Sequence, residues 1–237
     1  MNGKDAVRDA ATVVLVRNPG SKPSVLMGQR GKNAVFFPEK FVFPGGALDP
    51  GDHNINLLNP LSELCSKRLE ADAPAGIGAP LAVAAIRELW EEAGLALGKE
   101  GDWPGEVSPD WSTFAARGLC PDADALRFFF RAITPPGRPR RFDARFFIAD
   151  AASLVGSAED FSAASDELSH LQWVQLDQAD RFPLPFITQV VLAEVRKWVQ
   201  AGQLGQIPPS VPFFRNDDER SHFLRITGRA GEQTQLS

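Results

Sequence analysis

Tyrosine is missing from this 237-residue chain, against 17 phenylalanines, a bias with no evident physical cause. Cysteine is scarce as well. Cys65 and Cys120 are the two present, and neither stands in a C-x-x-C pair or beside histidines at metal-ligand spacing, so a reducing, cytoplasmic compartment is expected. Long apolar runs are lacking: the first, Val13 to Val16, is far shorter than a signal-peptide core, and no stretch approaches the length that spans a bilayer. No membrane partner is therefore expected. Positive charge is not in excess either. The formal net charge of −5 argues against the broad basic face that nucleic acid requires, although a local basic patch can still hold a phosphate-rich small molecule. The three histidines, His53, His170 and His222, are isolated from one another in sequence, which favours structural or exposed roles over metal ligation.

What is present is an ordinary globular composition, 43% hydrophobic and 23% charged, sized for one generous domain with an insertion. Thr12 to Arg17 reads as a buried strand and, past the turn signals Asn18-Pro19-Gly20, Ser24 to Gln29 reads as its hairpin partner. Lys40 to Phe43 is a third short apolar run, ending in a Pro44-Gly45-Gly46 loop able to approach a ligand closely. Leu57, Leu58, Leu61, Leu64 and Leu69 have helical spacing and predict an inserted helix, followed by a flexible run from Ala73 to Pro80. Leu81 to Ala93, between Pro80 and Gly94, carries the start and stop signals of a helix. Beyond it, Phe114 to Ala116 begins a short helix. Leu126 to Ile133 and Ala144 to Ala149 read as strands joined by a stiff basic loop, Leu171 to Leu176 as the last strand, and Pro185 to Gln200 as an amphipathic helix.

On the helix from Leu81, the residues Glu88, Glu91 and Glu92 are three and four apart, so their carboxylates project from nearly one face, while Ile86, Leu89 and Ala93 lie on the flank that packs. Like charges at this spacing repel, and Arg87 can pair with Glu91 one turn on, relieving only part of that repulsion. Clustered glutamates most often form a solvated helix face. Here a glycine turn precedes them with Asp52 nearby, and hard oxygen ligands of this kind suit Mg²⁺ or Mn²⁺.

The run Arg87-Glu88-Leu89-Trp90-Glu91-Glu92-Ala93-Gly94-Leu95 resembles the R-E-U-x-E-E-x-G-U half of the Nudix box throughout. That family's box opens G-x5-E. Gly46 followed by Asp52 reproduces the spacing with aspartate in place of glutamate, and the short link from that acid to the arginine is expanded here to His53–Ile86. Phe41-Val-Phe-Pro-Gly-Gly46, Arg140-Arg-Phe-Asp-Ala-Arg-Phe-Phe147 and Trp173-Val174 further resemble the motif-19 branch, which carries a long insert inside the box and includes coenzyme A diphosphatases.

The resemblance implies an α/β/α sandwich around a mixed β-sheet. It implies a single domain over residues 10–200, a helical insert at about 53–80 packed over or beside the pocket or serving a dimer contact, and a C-terminal extension over 201–237. It also implies a magnesium- or manganese-dependent hydrolase of a nucleoside diphosphate-linked small molecule, with CoA or acyl-CoA favoured. ADP-ribose and NADH stand as alternatives, as does a non-catalytic nucleotide-binding regulator. A homodimer is compatible with it. By the same resemblance Glu91 and Glu92 are principal metal ligands, Glu88 binds metal or activates water, Arg87 orients a glutamate, and a Gly45 or Gly46 carbonyl adds a ligand. A later acid is often recruited as ligand or base. Glu167 is the candidate, with Asp166 and Glu159 competing. Arg138, Arg140, Arg141 and Arg145 are candidates for phosphate contact, with Arg30 beside the glycine loop and Asp52 near the substrate.

Overall fold

The Val13–Val16 run is wholly buried because both faces of its strand are covered. In the computed structural model, which describes residues 6–216, 220–228 and the backbone of 233–235, that run lies inside β1 (Val7–Arg17). There follow β2 (Ser24–Arg30), β3 (Phe41–Val42), β4 (Gly45–Ala47), a 3₁₀ turn (Pro50–Asn54), α1 (Glu63–Leu69) and α2 (Gly78–Ala93). Next come β5 (Gly98–Glu100), a 3₁₀ turn (Pro109–Trp111) leading into α3 (Ser112–Ala115), β6 (Leu119–Pro121), β7 (Arg127–Ile133), β8 (Arg141–Asp150), β9 (Leu168–Gln175) and α4 (Phe186–Gln200). The described chain finishes with β10 (Val211–Asn216), β11 (Ser221–Ile226) and β12 (Gln233–Gln235).

Ten strands form one mixed sheet in the order β12-β11-β10-β7-β8-β1-β2-β3, with β4 also on β1 and β9 also on β2. The long β1–β8 pairing is parallel, from Val7 opposite Arg141 to Val16 opposite Asp150, and its neighbours β7 and β2 run antiparallel. Period-two alternation, reset in β7 by a bulge between Phe128 and Phe130, divides the strands between two cores. Val13, Leu15, Phe128 and Phe147 pack against Leu81, Ala85 and Leu89 of α2. Val14, Val16, Phe130, Phe146 and Ile148 pack against Val191, Leu192 and Val195 of α4. The result is the expected α/β/α sandwich, each buried aliphatic or phenylalanine side chain contributing roughly 1.5–3 kcal/mol.

Four expectations need correction. Pro44-Gly45-Gly46 is not a free loop, since Gly45–Ala47 pairs with β1 along Ala10–Thr12. α2 starts at Gly78, ahead of Pro80, because a proline in the first turn forfeits only an N–H that has no intrahelical partner. The inserted helix is short: Pro60 disfavours helix before it, Ser62 accepts from the Cys65 N–H as cap, and Leu57, Leu58 and Leu61 stay outside α1. β9 is not the last strand, because β10 joins β7 in parallel and β11 and β12 extend the edge.

The insert is also not over the pocket. Cys65, Leu69 and Ile77 join the core beneath α2, together with Val211, Phe213, Leu224 and Ile226 of the late strands. Arg68, 3% exposed, donates to three backbone carbonyls, those of Thr227 at 3.0 Å, Pro208 at 2.5 Å and Pro209 at 2.6 Å. Arg131 of β7 reaches the Ala71 carbonyl, and Arg215 pairs with Asp72 at 3.3 Å. The inserted segment thus clamps the C-terminal strands to the rest of the sandwich.

Candidate active site

α2 lies under β4 and ends at Gly94, whose left-handed φ of 69° closes the helix through a bond to Trp90 O. A side chain there would also meet the Ala164 backbone nitrogen at 2.9 Å. Near the C-terminal end of this helix Arg87 is the hub. Its Nε and Nη2 donate to the two oxygens of Asp52 at 2.9 and 3.0 Å, its Nη1 to Glu88 at 2.9 Å and Glu91 at 3.1 Å, and its Nη2 also to Ala47 O at 3.2 Å. Burial works against this charge, but the bond to Asp52 and the fields of Glu88, Asp52 and Glu91 outweigh it and raise the guanidinium pKa. The expected Arg87–Glu91 pair is present.

Asp52 is 2% exposed, fastened by Arg87 and by the Asp49 N–H at 2.8 Å. It has no face toward a substrate, so its reading as a substrate contact is corrected: it is the counter-charge that holds Arg87. Its shorter side chain reaches because the 3₁₀ turn Pro50–Asn54 brings the backbone close to α2.

The glycine pair is explained by what lies above it. A Cβ on Gly46 would stand 2.2 Å from Glu88 Oε1, and one on Gly45 would stand 2.5 Å from Ala11 O. Only bare backbone lets Glu88 lie across β4 and lets β4 press against β1. The Gly45 N–H donates to Glu92 Oε2 at 2.8 Å. The other oxygen of Glu92 is buried with no hydrogen-bond partner, and the nearest cation to it is Arg30 Nη1 at 3.9 Å.

Burial is the first cause of the altered acidity of all three glutamates. It pushes Glu88 up to about 7, with Arg87 opposing and Glu91 adding to the rise. Glu91 is raised, again with Arg87 opposing. Glu92 is raised well above the usual carboxylate range, Glu88 adding and the Gly45 N–H opposing. Among the described residues no three acids, histidines or cysteines are drawn together as a finished metal-ligand set. The residues nevertheless fit a hard divalent cation. The donors are carboxylate oxygens, one buried oxygen is unpartnered, and the raised carboxyl pKa values mark a site short of positive charge.

Glu167 is the late acid that reaches this place: Arg30 Nη2 donates to it at 2.9 Å, and it adds to the field on Glu88 and Glu92. Glu159 is instead paired with Arg17. Arg87, Glu88, Glu91, Glu167, Gly45, Gly46 and Arg30 all border one cavity of about 770 Å³. It runs from α2 across the sheet to the start of α4.

The arginine candidates divide. Arg30, Arg138 and Arg140 border the cavity. Arg145 does not: it is 1% exposed, paired with Asp9 and with Asp143 at 3.2 Å, so its reading as a phosphate contact is corrected. Arg141 is also turned away, donating to Thr134 O at 3.1 Å. Strand periodicity carries the reason. Residues 141, 143 and 145 share one face of β8, and Phe142, Ala144 and Phe146 on the other face border the cavity. The same alternation along β1 could have found Arg8, which lines the cavity beside Ala10 and Thr12. No periodicity points to Phe36, Phe37, Phe186 or Phe214, which reach the cavity from separate loops and elements.

A carboxylate-bearing helix end tucked under a glycine strand, at the mouth of a cleft in an α/β/α sandwich, defines the Nudix fold class. No protein-family model matches the chain. It is similar to a nudix hydrolase 7 of Caenorhabditis elegans, 27% identical over 222 residues, covering 84% of this chain and 65% of that protein. An acyl-coenzyme A diphosphatase NUDT19 of Gallus gallus is 26% identical over 205 residues, covering 60% of this chain and 54% of that one. The crystal structure of a NUDIX hydrolase from Alicyclobacillus acidocaldarius superposes with a TM-score of 0.60 at 28% identity, covering 80% of this chain and 90% of that one. The chain shares its fold with Nudix hydrolases and is similar to them in sequence. It spans less than two thirds of the length of these two curated relatives, 65% and 54%.

Proposed function

We propose that the chain is a diphosphatase that hydrolyses the diphosphate bond of a nucleoside diphosphate-linked compound, with CoA or an acyl-CoA as substrate and magnesium or manganese as cofactor. The observation that carries this is that Glu88 and Glu91, with the buried Glu92 on the same helix, border a cavity that Phe36, Phe37, Phe186 and Phe214 also line. A bare nucleotide needs no such lining. A pantetheine arm or acyl chain does, and the partial match to an acyl-coenzyme A diphosphatase agrees with it.

Glu88, Glu91 and Glu92, with a Gly45 or Gly46 carbonyl, would hold the cation, which when bound neutralises diphosphate charge and acidifies water. Arg87 keeps Glu88 and Glu91 oriented. Glu88 or Glu167 accepts the proton as the water oxygen bonds to phosphorus and the bridging P–O bond breaks, its electron pair leaving with the departing phosphate. Arg138 and Arg140 offer guanidinium groups to further phosphate oxygens.

The test is product release from CoA, acyl-CoA, ADP-ribose and NADH with Mg²⁺ or Mn²⁺, comparing the parent with Glu91→Gln. Cleavage of CoA compounds to phosphopantetheine products and adenosine 3′,5′-bisphosphate, reduced at least about 10²-fold in the variant, is the expected result. Preference for ADP-ribose or NADH replaces the substrate and keeps the chemistry. Tight nucleotide binding with no turnover makes the chain a regulator instead.

A further inference from the structure

Buried Arg145 leaves its Nε unpartnered while its other nitrogens pair with Asp9 and Asp143, but Arg68, Arg131 and Arg87 each engage all three guanidinium nitrogens. Arg68 donates to three carbonyls, Arg131 bonds Asp143 at 2.8 and 2.6 Å as well as Ala71 O, and Arg87 makes five bonds. Arg30 does not behave this way. At the end of β2, with its side chain 22% exposed, it makes one hydrogen bond, to Glu167, and its Nε is buried with no partner. Its Nη1 stands 3.9 Å from Glu92 Oε1, inside ion-pair range and too far for a hydrogen bond. That carboxylate oxygen is itself unpartnered. A donor and an acceptor that would each gain from a bond are therefore side by side without one. The guanidinium instead lies between the buried glutamate of α2 and the late acid ahead of β9.

We propose that Arg30 is a built-in counter-cation: without metal it neutralises Glu92 and Glu167, and a divalent cation arriving at the carboxylates displaces it. This rests on the cation site proposed above. A divalent ion could reach the unpartnered Glu92 Oε1, which a guanidinium at 3.9 Å does not, and would bring twice the charge to the cluster of Glu88, Glu91 and Glu92. Once displaced, the guanidinium faces the cavity it already borders, where a phosphate oxygen is its natural partner. Without a cation, the repulsion among the carboxylates is thus offset, and an arginine becomes available to the anion only when the cation is in place.

The direction of the effect separates this role from that of a brace. In titrations of the metal-free full chain with Mn²⁺ alone, Arg30→Gln is expected to bind the ion about tenfold more tightly than the parent, because a competitor has been removed. Arg30→Lys, which keeps the charge, should stay within about threefold of the parent. Unchanged or weaker Mn²⁺ binding in Arg30→Gln overturns the proposal. A second measurement needs no variant: phenylglyoxal labelling of Arg30 in the parent, followed by peptide mass spectrometry, should be faster with Mn²⁺ than without, and equal or slower labelling overturns the proposal. Absence of any Mn²⁺ binding by the parent overturns the cation site itself and this inference with it.

Discussion

At the scale of single residues, the site depends on an atom that is not there. Gly46 carries no side chain, and the Glu88 carboxylate occupies the space where one would be. Gly46→Ala should force that carboxylate aside by an ångström or more. A loss of about 10²-fold in kcat is expected, since displacement of that size at a reacting centre costs about as much. A kcat within about threefold of the parent, with the melting temperature unchanged, would show that Glu88 need not lie across β4. Asp52 illustrates a second residue-scale lesson. The motif spacing made it visible as the acid of a departed box, whereas its task, holding both Arg87 nitrogens, depends on a turn that only the folded chain reveals.

At the scale of elements, the inserted segment is best understood through α1. Its Arg68 ties residues far away in sequence, Pro208, Pro209 and Thr227, to a helix lodged inside the box. Arg68→Ala should leave these carbonyls without donors and cost roughly 2–4 kcal/mol of stability. Urea unfolding would measure the total, and hydrogen exchange should place the faster-opening amides in β10 and β11. If the loss is spread evenly over the sheet, α1 is not a clamp. The element pattern was largely legible. α2 announced itself through apolar spacing between Pro80 and Gly94, and β1, β2, β7, β8, β9 and α4 through their runs. The late strands were not, because both are short, Val211-Pro-Phe-Phe following the prolines Pro208 and Pro209 and Ser221–Ile226 following a charged run, and such a strand is specified by its neighbour more than by its own pattern.

At the scale of the whole molecule, the cavity is a joint product of β1, the loop before β3, the β7–β8 connection, α4 and β10. Phe186, 66% exposed at the first position of α4, stands with its ring centroid 6.0 Å from that of Phe214. An aromatic so exposed contributes little to folding. Phe186→Ala is therefore expected to change stability by less than about 0.5 kcal/mol and, under the proposed activity on acyl-CoA, to raise KM for a long-chain acyl-CoA about 3- to 10-fold, with KM for free CoA unchanged. Equal effects on both compounds would place the acyl chain elsewhere.

What the chain determined by itself is the cluster of carboxylates and the helix that carries it. Glu88, Glu91 and Glu92 are neighbours by helix geometry alone, three and four residues apart, and Gly94 ends that helix for reasons local to its backbone. Local rules suffice wherever the partners lie within a turn or two of one another. Tertiary structure decided which distant groups meet them. It turned Arg145 and Arg141 away from the cleft by strand register, and it brought Glu167 and Arg30 together across β2 and β9. It also placed the insert beneath α2, away from the pocket. Those choices depend on which face of a strand is buried and which loops the sheet order sets side by side. Neither property is local, since each is fixed by packing between segments far apart in the chain.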